Sequence, residues 1–172
     1  MAGTTANICI GGAILKVANN ASPGVPTDVG FIKDGIVITP NFEMFRVDGA
    51  EGFPAVLAMR RTKTEYTVKS TLMEPTLTNI QKAWDTYLAG VSDPTSPLNL
   101  TASSNVKERK IEITANKNLA GGTRTITFWR TIVESPGEYK VTDYEASLLP
   151  VTFVCMYDSA ASPAGIGTIA DT

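Results

Sequence analysis

Histidine is absent from this 172-residue chain, and its absence excludes several kinds of chemistry. Serine–histidine and cysteine–histidine nucleophile pairs cannot form, and the commonest side-chain general base and metal ligand is missing. The sequence also lacks the nucleophile-elbow, phosphate-loop and zinc-protease motifs. Its aspartates do not follow the spacing of a calcium-binding loop. We therefore expect no enzymatic activity, no cofactor and no metal site.

Cysteine and positive charge are also scarce. The two cysteines, Cys9 and Cys155, each lie within an apolar run, which predicts two buried free thiols, since synthesis in a cytoplasm argues against a disulfide. Lysine and arginine together number 15, against 17 acidic residues, and the formal net charge is −2. Because nucleic-acid binding depends on clustered cations, these totals argue against a protein that holds DNA.

Long hydrophobic runs are missing as well. The apolar stretch at residues 8–18 has no basic segment before it and is interrupted by Lys16, so it falls short of the ~20 residues that cross a bilayer. It predicts a strand, and no membrane partner is expected. With 14 glycines and 10 prolines, the chain has enough turn residues for many short strands. Its length predicts a single domain over residues 1–172.

The first half of the chain predicts strands joined by turns. Residues 27–33 and 36–47 are β-rich, and the Asp34-Gly35 pair between them is typical of a type I′ hairpin turn. Residues 48–54 then bring two glycines and a proline. This composition predicts an extended loop before the next strand.

After the strand predicted at residues 55–72, the spacing of apolar residues changes from that of a strand to that of a helix. Pro75 and Thr76 favour a helix start with Thr76 as N-cap, and the apolar residues that follow fall on one helical stripe: Leu77, Ile80, Trp84, Tyr87 and Leu88. The opposite, polar face holds Asn79, Gln81, Lys82, Asp85 and Thr86. We predict one helix over residues 76–88, with this polar face toward solvent.

Three more strands are predicted at residues 106–115, 123–133 and 149–158. In the last two, one face is apolar and the other carries threonine with some apolar residues. That second face is covered either by another subunit or by the helix or an arm of the same chain. We expect an N-terminal arm at residues 1–6 and a small, glycine-rich C-terminal tail at residues 159–172 that orders only against a partner.

The densest basic run is RRTK at residues 60–63, which includes Arg60 and Arg61. It is explained either by a strand edge or turn paired with nearby glutamates, or by salt bridges from Arg60 and Arg61 to a neighbouring subunit, since arginine makes forked contacts with carboxylates. A role in gripping DNA is disfavoured by the acidic remainder of the chain.

A family resemblance is carried by the order of several short segments: GGAILKV from residue 11, PTDVGFIKDGIVITP from 26, RRT from 60, EYTV from 65, LTNIQKAW from 77, LPVTF from 149 and YD at 157. Over residues 11–158 the chain resembles the tail tube (major tail) proteins of long-tailed bacteriophages. This resemblance implies a mainly β fold, a β-sandwich or partial barrel with one flanking helix.

The same resemblance implies an assembly. Six copies would form a ring whose inner sheets join into a continuous β-barrel, and stacked rings would form the virion tail tube through which DNA passes without specific binding. The implied partners are further copies of the chain, a tape-measure protein, a tail terminator and tail-tip proteins. The loop implied to contact the adjacent ring comprises Asp48, Gly49, Ala50, Glu51, Gly52 and Phe53, together with the chain ends.

Two other interpretations remain open at this stage. One is a tube subunit of a related contractile tail or secretion apparatus, with the same fold and ring. The other is a monomeric β-sandwich module that binds a ligand, which would present an aromatic-lined groove.

Overall fold

The computed structural model describes residues 9–19, 24–48, 56–84, 106–117, 122–140 and 147–172. Within them the elements are β1 (Cys9–Val17), β2 (Thr27–Asp28), β3 (Ile32–Asp48), β4 (Val56–Leu72), α1 (Leu77–Trp84), β5 (Arg109–Lys117), β6 (Thr123–Pro136), β7 (Leu149–Met156) and β8 (Gly167–Asp171). This part of the chain is mainly β with one short helix, so the predicted fold class is confirmed.

All eight described strands belong to one antiparallel sheet. Its order is β2-β1-β5-β6-β7-β4-β3, with β8 attached to β6. Although β1 and β3 stand near opposite ends of this order, they lie against each other. The sheet therefore curls toward closure, as in a partial barrel.

The core fills the inside of this curl. It is built from residues on several strands and the helix: Leu15, Val17, Val29, Val68, Leu72, Ala83, Ile111, Ile113, Phe128, Leu149, Val151, Phe153 and Cys155. Strand β7 contributes alternate residues, as its sequence predicts, since Leu149, Val151, Phe153 and Cys155 are all buried. The side chain of Cys9 lies outside the described residues, whereas Cys155 is a buried free thiol.

The Asp34-Gly35 pair is not the hairpin turn that we predicted. Both residues do have positive φ, 60° and 78°, but they lie within the continuous strand β3. The partner of Lys33 is Thr71 and the partner of Ile36 is Ser70, so two residues bulge out of the strand. Because β3 is at the end of the sheet order, this bulge disturbs pairing on one side only.

Strict alternation along β6 places Ile126, Phe128 and Ile132 on one face and Thr131 and Val133 on the other, and this prediction is wrong in the second half of the strand. Arg109 pairs with Thr131 whereas Ile111 pairs with Phe128, so β6 has one extra residue between these points. The bulge exchanges the two faces of the strand. On its N-terminal side Phe128 faces the core, and on its C-terminal side Thr131 and Val133 face the core. Alternation alone could not reveal this change.

The helix begins where the sequence predicts, but its faces are partly reversed. The Asn79 amide donates a hydrogen bond of 3.2 Å to Thr76 Oγ1, which confirms Thr76 as the N-cap. Asn79, Gln81 and Lys82, which we expected in solvent, are buried, and Leu77 is 40% exposed. The reason is that α1 packs against polar backbone and side-chain groups, described below, as well as against the core.

The C-terminal tail also differs from the expectation. Residues 124–128 of β6 pair with β8, with Thr127 opposite Thr168, so this segment orders on its own chain. A bidentate ion pair of 2.8 and 3.0 Å from Arg124 to Asp171 supports the pairing. The predicted N-terminal arm, residues 1–6, lies outside the described residues.

Candidate assembly surfaces

The β3–β4 hairpin extends beyond the body of the fold. Strand β4 pairs with β7 only from Tyr66 to Leu72, whereas it pairs with β3 along nearly all of its length. Residues 41–48 and 56–65 therefore form a two-stranded ribbon with no further strand beside it in the described structure. Every side chain described at 41–47 and 58–64 is exposed. We call this segment the ribbon.

The two faces of the ribbon differ in chemistry. One face continues the core: Tyr66 contacts Phe128 on one side and Phe42 on the other, with ring centres 6.1 and 6.3 Å apart. Beyond Phe42 this inner face carries Met44 and Met59, which are 48% and 58% exposed. A row of exposed, unbranched or aromatic apolar side chains is typical of a protein–protein contact.

The outer face of the ribbon is more polar near its root. Lys63 lies 3.1 Å from Glu65 and 3.8 Å from Glu43, and hydrogen bonding to Glu65, followed by the attraction of both carboxylates, raises the pKa of Lys63. These are solvent-exposed pairs, so they contribute little to stability. Farther out, the outer face carries the exposed side chains of Phe45 and Val47.

Arg60 and Arg61 both lie in the ribbon, on opposite faces. Thr62 is an extra residue in β4, because Glu43 pairs with Lys63 and Met44 pairs with Arg61. Arg61 consequently joins the inner face, where its guanidinium lies 3.9 Å from the centre of the Phe42 ring. Arg60 faces outward and forms no ion pair with the described residues. Among the described residues, pairing with nearby glutamates applies to Lys63, and the salt bridges from Arg60 and Arg61 to a neighbouring subunit stay a prediction.

The predicted inter-ring loop follows the ribbon. Asp48 is the last residue of β3. Gly49, Ala50, Glu51, Gly52 and Phe53 lie outside the described residues, so their predicted role stays a prediction.

A groove lies at the other end of β3. It measures about 650 Å³ and is lined by Gly12, Ala13, Ile14, Asp28, Gly30, Phe31, Ile32, Gly35 and Glu74. Its lining contains two acidic side chains and no lysine or arginine. Phe31 is 76% exposed and Ile14 is 44% exposed. We call this surface the acidic groove.

Hydrogen bonds fix the backbone of the acidic groove. The Phe31 amide donates to Glu74 Oε1 at 3.1 Å, and the Phe31 carbonyl accepts from the Met73 amide at 2.9 Å. The Gly30 amide donates to Asp28 Oδ1 at 2.9 Å. Gly30 has φ of 81°, and the Glu74 carboxyl occupies the space that a Cβ on Gly30 would need. The exposed Phe31 side chain is thus presented by a turn whose backbone is fixed.

A smaller apolar cleft of about 330 Å³ lies at the root of the ribbon. It separates β4, at Thr64 and Tyr66, from β8, at residues 167–169, and has Phe128 at its floor. Ile169, on its rim, is 70% exposed. We call this surface the root cleft.

A buried polar cluster beneath α1 was missed by sequence reasoning. Lys82 Nζ donates to Thr27 Oγ1 at 2.7 Å, Asn79 Nδ2 donates to the Val29 carbonyl at 2.8 Å, and Arg109 Nη2 donates to the Gln81 carbonyl at 3.0 Å. Burial, and then the charge of Arg109, lowers the pKa of Lys82 to about 8. These bonds attach the helix to β5 and to the turn near β2, which is a structural role.

The described residues offer little for catalysis. They contain no group of three acidic or cysteine side chains placed to hold a metal ion. Burial raises the pKa of the Cys155 thiol to about 12, so it is not a reactive thiolate. The helix that these residues form is too short to span a bilayer.

Comparisons with known proteins give a match in structure only. No protein-family model matches the chain, and no curated protein matches it. The chain is similar, at a TM-score of 0.50 and 11% identity over 92% of its length and 88% of the other's, to a chain in the cryo-EM structure of the anti-feeding prophage cap, described as the AFP tube terminating cap. This likeness shows a shared fold.

Two further structures match at slightly lower TM-scores. The tail of an empty GTA particle, determined with C6 symmetry, matches at a TM-score of 0.49 and 11% identity, over 92% of this chain and 95% of that one. An extracellular contractile injection system, as a PVC sheath–tube complex in the extended state, matches at 0.48 and 10%, over 94% and 89%.

Proposed function

We propose that this protein is a structural subunit of a tail-type tube, whose copies associate into rings that stack. The observation that carries the proposal is the ribbon, a two-stranded extension whose inner face continues the core and is exposed in the single chain. A stable monomer has no use for such a surface, because exposed contiguous apolar area favours association. The fold shared with a tube-terminating cap supports the same conclusion.

The partial barrel gives the proposed ring its physical basis. In the described structure the outer edge of β3, the edge of β4 along residues 56–65 and the outer edge of β8 carry no strand partner. Unpartnered edges invite uncontrolled pairing unless something covers them. A closed ring, hexameric by the family resemblance, covers them by joining one surface of each subunit to a different surface of the next and completes a β-barrel around a lumen.

The proposed tube conducts DNA to the host without binding it specifically. A net charge of −2 suits a conduit, since sequence-independent retention of DNA comes from positive charge. The protein would reside in the virion tail and would meet a tape-measure protein, a tail terminator and tail-tip proteins. Its role is structural and requires no catalytic group and no cofactor.

A contractile tail or secretion apparatus is the second candidate setting. The fold shared with the tube-terminating cap of an anti-feeding prophage is the observation that brings in this setting. The gene neighbourhood separates the two settings, because a contractile apparatus requires a sheath protein beside the tube protein.

Negative-stain electron microscopy of the concentrated protein, combined with mass by light scattering, tests the proposal. We expect rings or hollow tubes of uniform width, with a mass that is a multiple of 18.3 kDa. A particle that remains a monomer at every concentration, both alone and with tail-tip complexes as initiators, would contradict it.

A further inference from the structure

We propose that the acidic groove of one copy receives the inner face of the ribbon from the next copy along the tube. This inference rests on the proposed function, because it names the two surfaces that join successive copies. It commits to one occupant, a second copy of this chain.

The position of the two surfaces supports head-to-tail contact. Gly35, in the acidic groove, and Val47, near the tip of the ribbon, are both in β3 and are separated by twelve residues. At about 3.3 Å per residue, this separation corresponds to about 40 Å. A ribbon cannot reach the groove of its own chain at the opposite end of the same strand. Docking between copies therefore joins unlike surfaces, and a contact of this kind can continue from copy to copy along the tube.

The chemistry of the two surfaces is complementary. The ribbon brings Met44, Met59 and the guanidinium of Arg61 on one face. The groove offers the apolar surface of Ile14 and Phe31, bordered by the carboxylates of Asp28 and Glu74. Each of these carboxylates already orients one backbone amide. A carboxylate accepts several hydrogen bonds, so both retain capacity for an incoming arginine.

The rigidity of the groove favours it over other apolar surfaces as a receptor. The backbone of Phe31 is held by its N–H bond to the Glu74 carboxylate and by the Met73 N–H bond to its carbonyl, and the residue still exposes 76% of its surface. Because the backbone at Phe31 is fixed before binding, only its two side-chain torsions need to be ordered on contact. Such residues are typical anchors of interfaces.

Disulfide trapping tests the contact on the full chain. In a Cys9→Ser background, the double variant Ile14→Cys/Met59→Cys places one thiol in the groove and one on the ribbon. Mild oxidation should give a ladder of dimers, trimers and longer species on a non-reducing gel, since every copy carries one thiol in the groove and one on the ribbon. A disulfide requires Cα atoms about 4.4–6.8 Å apart, so a ladder means close and specific contact. A contact related by two-fold symmetry would instead stop at dimers, and that result would overturn the proposal.

Matched variants identify the receptor. Ile169→Cys/Met59→Cys tests the root cleft, and Val106→Cys/Met59→Cys tests an exposed residue outside all three surfaces. Neither should give a ladder. If the root-cleft pair gives the ladder and the Ile14 pair does not, the acidic groove is not the receptor.

The charge contribution is tested on the same assay. Arg61→Glu in the trapping background should slow ladder formation by on the order of tenfold, and by less at high salt, because it places a like charge opposite Asp28 and Glu74. Arg60→Glu, on the other face, should leave the rate nearly unchanged. Equal effects of the two variants would contradict docking by the inner face.

Microscopy of the unsubstituted protein separates this inference from the proposed function. Tubes without an Ile14–Met59 ladder would overturn the groove assignment and leave the tube proposal standing. Absence of both tubes and ladders would count against both.

Discussion

The Arg61 guanidinium lies 3.9 Å from the centre of the Phe42 ring, although the two residues are on different strands and nineteen positions apart. The contact exists because the extra residue Thr62 turns Arg61 onto the inner face of the ribbon, where Phe42 lies. Arg60, its neighbour in sequence, is on the outer face.

This arrangement predicts unequal effects on the stability of the monomer. Arg61→Ala should lower the free energy of unfolding by about 0.5–1 kcal/mol through loss of an exposed cation–π contact. Arg60→Ala should change it by less than ~0.5 kcal/mol. Urea denaturation of dilute protein measures both. Equal losses would show that the ribbon faces are assigned incorrectly.

The apolar inner face should matter for assembly and little for folding. Met44 and Met59 are about half exposed, so Met44→Ser/Met59→Ser should leave the free energy of unfolding within about 1 kcal/mol. The same variant should abolish tubes in electron micrographs. Val106→Ser, which removes an equally exposed residue elsewhere, should assemble normally. Assembly by the methionine variant would refute the ribbon as an interface.

Trp84 should stabilise the attachment of the helix. Its Nε1 donates to the Gly137 carbonyl at 3.1 Å, and its ring meets Tyr139 edge-on with centres 6.3 Å apart. Because Trp84 is only partly buried, Trp84→Ala should cost about 2–4 kcal/mol, near the lower end of large core truncations. Trp84→Phe, which keeps an aromatic ring and loses the donor, should cost about 1 kcal/mol. A negligible effect of the alanine variant would mean that α1 is not held by this contact.

Lys82 predicts a pH dependence of stability. Its pKa is about 8 in the folded protein and about 10.4 when unfolded. Between these values the unfolded chain binds more protons at this lysine, so the contribution of Lys82 to the free energy of unfolding should rise with pH across this window, by about 3 kcal/mol. Below the folded pKa the lysine is charged in both states, and its burial penalty is fully present.

The control for this prediction is Lys82→Met, which keeps the length of the side chain and removes its charge. The rise attributed to Lys82 should disappear, and the variant should be as stable as the parent, or more so, at neutral pH. Denaturation series at several pH values measure the difference between the two proteins. Parallel curves would show that Lys82 does not titrate with a lowered pKa.

Two nearby glycines should differ in their tolerance of a methyl group. A Cβ on Gly167 would overlap the Thr127 carbonyl oxygen, whereas a Cβ on Gly165 would meet nothing within 4 Å. Gly167→Ala should therefore weaken the pairing of β8 with β6 and cost about 1–3 kcal/mol. Gly165→Ala should be nearly neutral. Hydrogen exchange at β8 amides locates the effect, and unchanged protection in Gly167→Ala would contradict the described pairing.

Local patterns predicted a good part of the fold. The alternation in β7, the N-cap at Thr76 and the positive φ angles of Asp34 and Gly35 follow from residues within a few positions of each other. Side-chain period, capping chemistry and backbone sterics act over such distances.

Long-range pairing decided the rest. Only the register between β5 and β6 shows that Thr131 turns into the core, and only the packing of α1 on Thr27 and Arg109 explains why Lys82 is buried. The mainly β class, the start of the helix and the absence of histidine chemistry could be predicted from the residues alone, because they depend on composition and on neighbouring positions. The projection of the β3–β4 hairpin as the ribbon, the location of the acidic groove and the pairing of the C-terminal tail with β6 could not. Those features depend on contacts between residues far apart in the chain, which the spacing of apolar and polar residues within one segment does not reveal.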